Sequence, residues 1–177
     1  GESLSLLPLV EALRARRPGL TLLVTSGTVS SARVLAGRLP QGVIHQFAPV
    51  DSPTAVRGFL EHWRPSVGLL AESELWPNLI LEARARGVKL ALVSARLTHK
   101  SAAGWAHAGA AARKLFSAFD LVLPQDAASA ERLRFLGAEV GPALNLKLAA
   151  APLAADEAEL AKLTAACAGR PVVLGVS

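Results

Sequence analysis

Short apolar runs of strand length alternate along the chain with segments in which apolar residues recur at helical spacing. Leu4 to Arg16 predicts a helix with Leu6, Leu7, Val10 and Leu13 on one face, ended by Pro18-Gly19. Leu20 to Thr25 predicts a buried strand, Ser26-Gly27-Thr28 a turn and Ser30 to Leu39 a helix. Gly42 to Phe47 reads as a strand. Asp51-Ser52-Pro53 then opens a helix to Trp63, with Pro53 in its first turn. A strand over Val67–Ala71, a helix over Pro77–Arg86 stopped by Gly87, and a strand over Val88–Val93 follow. Ser101 to Phe116 is mostly helical, Leu121 to Leu123 a short strand, and Ala127 to Leu136 a helix stopped by Gly137. Val140 centres another short strand. Ala155 to Cys167 predicts a last helix, and Val172 to Val176 a strand after it.

The strands are apolar throughout rather than alternating, and helices separate them. This is the pattern of an α/β fold with an open parallel Rossmann-like sheet covered by helices on both faces. Such sheets bind ligands at the carboxyl ends of their strands. The loops at 25–30, 48–53, 72–77, 94–101 and 124–126 are therefore the places to look for chemistry.

The loop Glu72-Ser73-Glu74-Leu75-Trp76-Pro77-Asn78 puts two carboxylates directly after a hydrophobic strand. One can act as a base or partner a cation. Equally, the stretch fits a helix start, with Glu74 near the positive end of the dipole and Pro77 in the first turn. Arg96, Lys100 and Ser101 follow the next strand and suit a phosphate or carboxylate, or a solvated loop with Ser101 as helix cap. Thr25-Ser26-Gly27-Thr28 fits a backbone anion cradle less well than a glycine turn with a serine cap. Lys147 follows a short strand and reads alone as a surface lysine. Glu2 stands at the start of the first helix, as a strand-end carboxylate or a cap.

Composition narrows this further. Over 177 residues the chain is 51% apolar and 19% charged, which excludes a disordered chain and allows a sizeable core. Its single cysteine, Cys167, excludes a disulfide framework or a multi-thiolate metal site. The four histidines have no metal-ligand spacing, so no metal site is expected. Glycine-rich nucleotide fingerprints and a Gly-x-Ser-x-Gly elbow are absent. Nineteen Lys and Arg against fourteen Asp and Glu give +5, with fourteen of the cations arginine. That excess permits an anionic partner such as nucleic acid, a phosphorylated lipid or a membrane surface. No apolar run is long enough for a transmembrane helix. The chain opens on Gly1-Glu2 without methionine and stops on an apparent strand, so it reads as part of a longer protein.

Taken together, the loops resemble one family. Gly1-Glu2, Val24-Thr25-Ser26-Gly27-Thr28, Pro49-Val50-Asp51-Ser52-Pro53 and Glu72-Ser73-Glu74-Leu75-Trp76-Pro77-Asn78 come in its order. Ala95-Arg96-Leu97, Gln125, Glu131-Arg132, Leu136-Gly137-Ala138 and Asn145-Leu146-Lys147 complete it. The chain is similar to the N-terminal half of bacterial 3-deoxy-D-manno-octulosonic acid (Kdo) transferases, which act on lipid A precursors. The resemblance implies the N-terminal domain of a glycosyltransferase-B architecture: an acceptor-binding Rossmann-like domain over residues 1–150, lacking its first strand. Residues 151–177 then form a linker helix and the start of a donor-binding domain.

The same resemblance implies an inverting glycosyltransferase that moves Kdo from CMP-Kdo to a lipid A precursor in lipopolysaccharide biosynthesis. It works at the cytoplasmic face of the inner membrane, with no cofactor and no nucleic acid. Glu2 matches the family's catalytic base, Glu72 its second acid and Lys147 its lysine. Glu74, Arg96, Lys100 and Ser101 are carried along as substrate-binding positions. Ser94 stands where the family has Asn, Leu144 where it has Gly, and Leu148-Ala149 where it has Phe-Asp. Rival readings are another glycosyltransferase-B enzyme or nucleotide-sugar epimerase, and a non-catalytic α/β binding domain.

Overall fold

The computed structural model describes residues 2–149, 155–171 and 173, without the side chains of Glu2, Ser3 and Ala149. Of the expected linker helix and donor-domain start, residues 151–154 and most of the strand expected over Val172–Val176 lie outside the described residues. The chain is an α/β fold of parallel strands with helices packed against them. In order the elements are α1 (Glu2–Ser5), α2 (Leu7–Arg16), β1 (Leu23–Ser26), α3 (Val29–Ala36) and β2 (Ile44–Phe47). Next come α4 (Pro53–Trp63), β3 (Val67–Ala71), α5 (Pro77–Ala85), β4 (Lys89–Ala95), α6 (His99–His107) and α7 (Ala110–Phe116). The chain continues with β5 (Leu121–Pro124), α8 (Ala127–Phe135), a 3₁₀ turn (Leu146–Ala149) and α9 (Glu157–Cys167).

The helices expected among the described residues and the strands expected up to β5 are present, with two corrections in the long helices. The first breaks at Leu6 into α1 and α2, with Pro8 in the opening turn of α2, where its missing N–H costs nothing. The helix expected over 101–116 breaks at Ala108-Gly109, where Gly109 takes a positive φ that lets the chain change direction. A third correction concerns the sheet. The strands form two parallel sheets, β1–β2 and β3–β4–β5, rather than one. Val140 adds only a single parallel bridge to Val122 of β5.

β4 is the central strand of the larger sheet, and its two faces explain its unbroken apolar sequence. Leu90, Leu92 and Ala95 join Val56, Leu60, Ile80, Leu115, Phe116 and Leu133 in the main core, formed with α4, α5, α7 and α8. Ala91 and Val93 join the other cluster, with Leu146 of the 3₁₀ turn and with Leu6 and Leu9 packed against it. Leu7 and Val10 instead contribute to a third cluster with Val24 of β1 and Leu35 of α3. The segment Leu6–Val10 therefore sends side chains to both sheets. By contrast β3 is an edge strand whose Val67 and Leu69 are about half exposed, 56% and 46%.

Local chemistry sets the helix ends. Ser52, Thr28, Thr98 and Asp126 each accept a backbone N–H from the first turn of the helix they precede. Thr98, not Ser101, is thus the cap of α6, and Ser101 contributes only the N–H that Thr98 receives. Gly87 and Gly137 close α5 and α8 with positive φ. The N–H one residue beyond each returns to the last turn, Val88 to Ala83 and Ala138 to Leu133.

Candidate functional site

The site is built where β3 and β4 end. Ala71 pairs with Val93 in register, and the next residue on each strand leaves regular geometry. Glu72 has φ 54° and Ser94 φ 51°, the left-handed region that β-carbon-bearing residues avoid at about 1–2 kcal/mol each. Both are buried, Glu72 at 2% exposure and Ser94 at 0%. The ladder carries through the irregularity: Glu72 N–H donates to Val93 O at 3.0 Å, and Arg96 N–H donates to Glu72 O at 3.1 Å. The Ser73 hydroxyl donates to Arg96 O at 2.8 Å, stitching the two loops together. Two strained, buried, non-glycine residues side by side at strand ends mark a place where geometry serves something other than stability.

Glu72 meets Lys147 here. The Lys147 ammonium lies 3.0 Å from Oε1 and donates to Oε2 at 3.2 Å. Oε1 is left buried with no well-directed hydrogen-bond donor. The lysine side chain is 44% exposed, so the pair has one dry partner and one facing solvent. A buried carboxylate is tolerated because a cation sits against it. The 3₁₀ turn that carries Lys147 is held from three sides. Asn145 Oδ1 accepts Lys147 N–H at 3.1 Å, Ser94 Oγ accepts Leu146 N–H at 3.4 Å, and the Leu146 side chain packs on Ala91 and Val93.

The helix α1, which begins at Glu2, packs against this same 3₁₀ turn and against α3. The Glu2 side chain itself lies outside the described residues. The segments carrying Glu2, Glu72 and Lys147 thus converge, although 145 positions separate the first residue from the last.

The other residues named from sequence sit further out. Glu74 is exposed and accepts the Trp76 indole N–H. Arg96 is exposed on the loop after β4 and close enough to Asp126 to help lower its carboxyl pKa. The backbone N–H and then the hydroxyl of Ser129 are the larger causes of that lowering. Lys100 and Ser101 lie exposed in the first turn of α6. Among the described residues, neither side chain bonds to Glu72 or Lys147. Helix α8 steadies the loop between them: Ser129 Oγ accepts Leu97 N–H at 3.3 Å, and Arg132 donates to Leu97 O at 2.9 Å.

Two features had no separate place in the sequence reading. Asp51 accepts the N–H groups of Asn78 and Leu79 at 3.1 and 2.9 Å, and Asn78 Nδ2 returns a bond to Asp51 O at 2.8 Å. Trp76, the residue preceding α5, gives no side-chain cap, so Asp51 caps the helix from another loop. The string Pro77-Asn78 is thereby explained by structure rather than chemistry. Gln125, at the end of β5, keeps a buried Oε1 without a donor. The sequence signals are indirect: Asp51 stands beside Ser52-Pro53, and Gln125 lies in a strand-end loop among the residues of the family resemblance. Among the described residues no group of three or more His, Cys, Asp and Glu gathers as for a metal ion. None of the described helices is long and apolar enough to cross a membrane.

These features define an α/β domain whose acid and cation meet at the carboxyl end of a parallel sheet, the position where this architecture handles ligands. Residues 1–150 match the family described as 3-deoxy-D-manno-octulosonic-acid transferase. The whole chain is 37% identical over 180 residues to the 3-deoxy-D-manno-octulosonic acid transferase of Rickettsia felis, of which it covers 38%. It is 38% identical over 183 residues to the Bordetella pertussis enzyme of the same name, with 98% of this chain and 41% of that protein aligned. A probable mitochondrial 3-deoxy-D-manno-octulosonic acid transferase of Arabidopsis thaliana is 42% identical over 105 residues, 59% of this chain and 24% of the plant protein. The chain belongs to the Kdo transferase family. It spans about two fifths of the length of the bacterial relatives.

Proposed function

We propose that this chain is the acceptor-side part of an inverting glycosyltransferase that moves Kdo from CMP-Kdo to a hydroxyl of a lipid A precursor in lipopolysaccharide assembly. Residues 1–150 form the acceptor-binding domain, and residues 151–177 lead into the donor-binding domain. The enzyme works at the cytoplasmic face of the inner membrane, where the arginine excess suits a phosphorylated lipid and an anionic surface. The observation that carries this reading is the buried Glu72 paired with Lys147 at the strand ends, in a chain of this family.

Glu2 is the general base. Its carboxylate takes the proton of the acceptor hydroxyl as that oxygen attacks the anomeric carbon of Kdo. The bond from that carbon to the CMP phosphate oxygen breaks on the opposite face, and CMP leaves with the bonding pair. Lys147 offsets negative charge on the donor or leaving group. Glu72 orients the ammonium and holds it at the strand ends. Arg96, Lys100, Ser101 and Glu74 contact the anionic and hydroxylated parts of the substrates from the rim.

The test is mass spectrometry of a lipid A precursor incubated with CMP-Kdo and the full-length protein, with and without Glu2→Ala. Kdo addition that vanishes in the variant supports both reaction and base. A folded protein that adds no Kdo sinks the proposal.

A further inference from the structure

Ser94 is fully buried, has a left-handed backbone, and bears no charge. Nothing in the transfer chemistry above uses it. Its hydroxyl accepts the N–H of Leu146, the residue before Lys147, across 52 positions of sequence. On the other side, the Glu72 backbone is fixed at both its polar groups: its N–H donates to Val93 of β4, and its carbonyl accepts from Arg96, the residue just past the end of that strand. The carboxylate is therefore anchored to the sheet directly, whereas the ammonium is anchored through the 3₁₀ turn.

We infer that Ser94 is a positioning residue for the Glu72–Lys147 pair. Its left-handed backbone makes the irregularity between Val93 and Ala95 at the end of β4, and its hydroxyl docks the turn that carries Lys147. Removing the hydroxyl leaves the Leu146 N–H, on a residue only 5% exposed, without its acceptor. A buried donor in that state recruits water or shifts the turn. Lys147 moves with the turn while Glu72 stays with the strand. Reacting and charge-stabilising groups lose effect over displacements near 1 Å.

The inference rests on the role proposed above for the pair, so its test has one readout independent of activity. In the full-length protein, Ser94→Gly removes the hydroxyl and keeps the backbone conformation without strain. Ser94→Asn supplies another acceptor on a residue that tolerates left-handed φ. Labelling of lysines by a small amine-reactive reagent, quantified by mass spectrometry, reads the ammonium of Lys147 against exposed Lys100 in the same molecule. In Ser94→Gly, labelling of Lys147 relative to Lys100 rises several-fold, kcat for Kdo transfer falls roughly 10- to 100-fold and KM moves little. Ser94→Asn recovers most of both.

Unchanged Lys147 labelling in Ser94→Gly overturns the positioning role. So does a Ser94→Asn variant that folds normally yet labels like the glycine variant. Raised labelling with unchanged kcat upholds the positioning and instead removes the pair from the transfer mechanism.

Discussion

Lys147 reaches Glu72 across 75 positions of sequence, and the contact joins the 3₁₀ turn Leu146–Ala149 to the end of the third strand. Only one partner is dry, so the two replacements should differ in what they cost in stability. Glu72→Gln keeps the volume and drops the charge. Lys147→Met keeps much of the length and leaves a buried carboxylate facing no cation. Under the proposed function, both lower Kdo transfer by the full-length protein about 100- to 1,000-fold, as loss of one charge-stabilising group does. The double variant should be hardly worse than the poorer single one, because the residues act as a unit. Lys147→Met should also cost about 1–3 kcal/mol of stability, below the full penalty for a broken buried pair because solvent reaches the lysine. Initial rates and thermal melts of the four proteins check this, and additive rate losses would mean the residues work separately.

The Asp51 carboxylate is the cap that α5 lacks within its own sequence. Asp51→Ala removes acceptors for two helix N–H groups and the anchor of Asn78, and should cost about 1–2 kcal/mol. Asp51→Asn retains an oxygen acceptor and should lose less. Chemical-denaturation midpoints of the two variants should rank in that order. Equal midpoints would show that water replaces the carboxylate without penalty.

Most of the architecture is legible because each element carries its own local signal. Alternation of apolar runs with helical spacing gives the strands and helices, and Ser52-Pro53, Gly87 and Gly137 mark ends by chemistry that acts within a few residues. The loops to inspect follow from the rule that parallel sheets bind at carboxyl ends. What escapes is set by contacts distant in sequence. Nothing local tells that Asp51 caps a helix beginning at Pro77, or that Thr98 rather than Ser101 caps α6. The left-handed backbone of Glu72 and Ser94 is invisible too, since neither is glycine and the fold imposes the conformation. Lys147 reads alone as a surface lysine, and only the path of the chain from Val140 brings it to Glu72. The two sheets were expected as one because strand count follows from sequence, while which strands pair does not.

Gly68 allows the close packing of β3 on its neighbour. A β-carbon there would sit 2.9 Å from Leu90 Cδ2, a side chain only 3% exposed in the main core. The Leu90 side chain would have to shift within the core it shares with Val56, Leu60 and Ile80. Gly68→Ala should therefore destabilise by about 1–3 kcal/mol despite the better strand propensity of alanine. Thermal unfolding measures this, and a rise in Tm would mean that Leu90 has room to turn aside.

One source of acid sensitivity lies at the end of the sheet opposite the candidate site. Asp120 accepts the Leu90 backbone N–H at 2.9 Å, both of its oxygens face Arg84 at 2.8–2.9 Å, and Lys89 lies at 3.2 Å. The Leu90 N–H first, then the Arg84 guanidinium, hold its carboxyl well below the usual carboxylate range. A pKa lower in the folded than in the unfolded chain means that the unfolded chain binds the proton first. The stabilisation is therefore complete above the unfolded value of about 4 and is lost as pH falls from there toward the lower folded value. Asp120→Asn should be less stable than the parent at neutral pH, and the gap should narrow steadily as pH falls below about 4. Urea midpoints measured from pH 7 down to pH 3 give the comparison. A gap that stays constant over that range would show that Asp120 acts as a hydrogen-bond acceptor alone, with its charge contributing nothing.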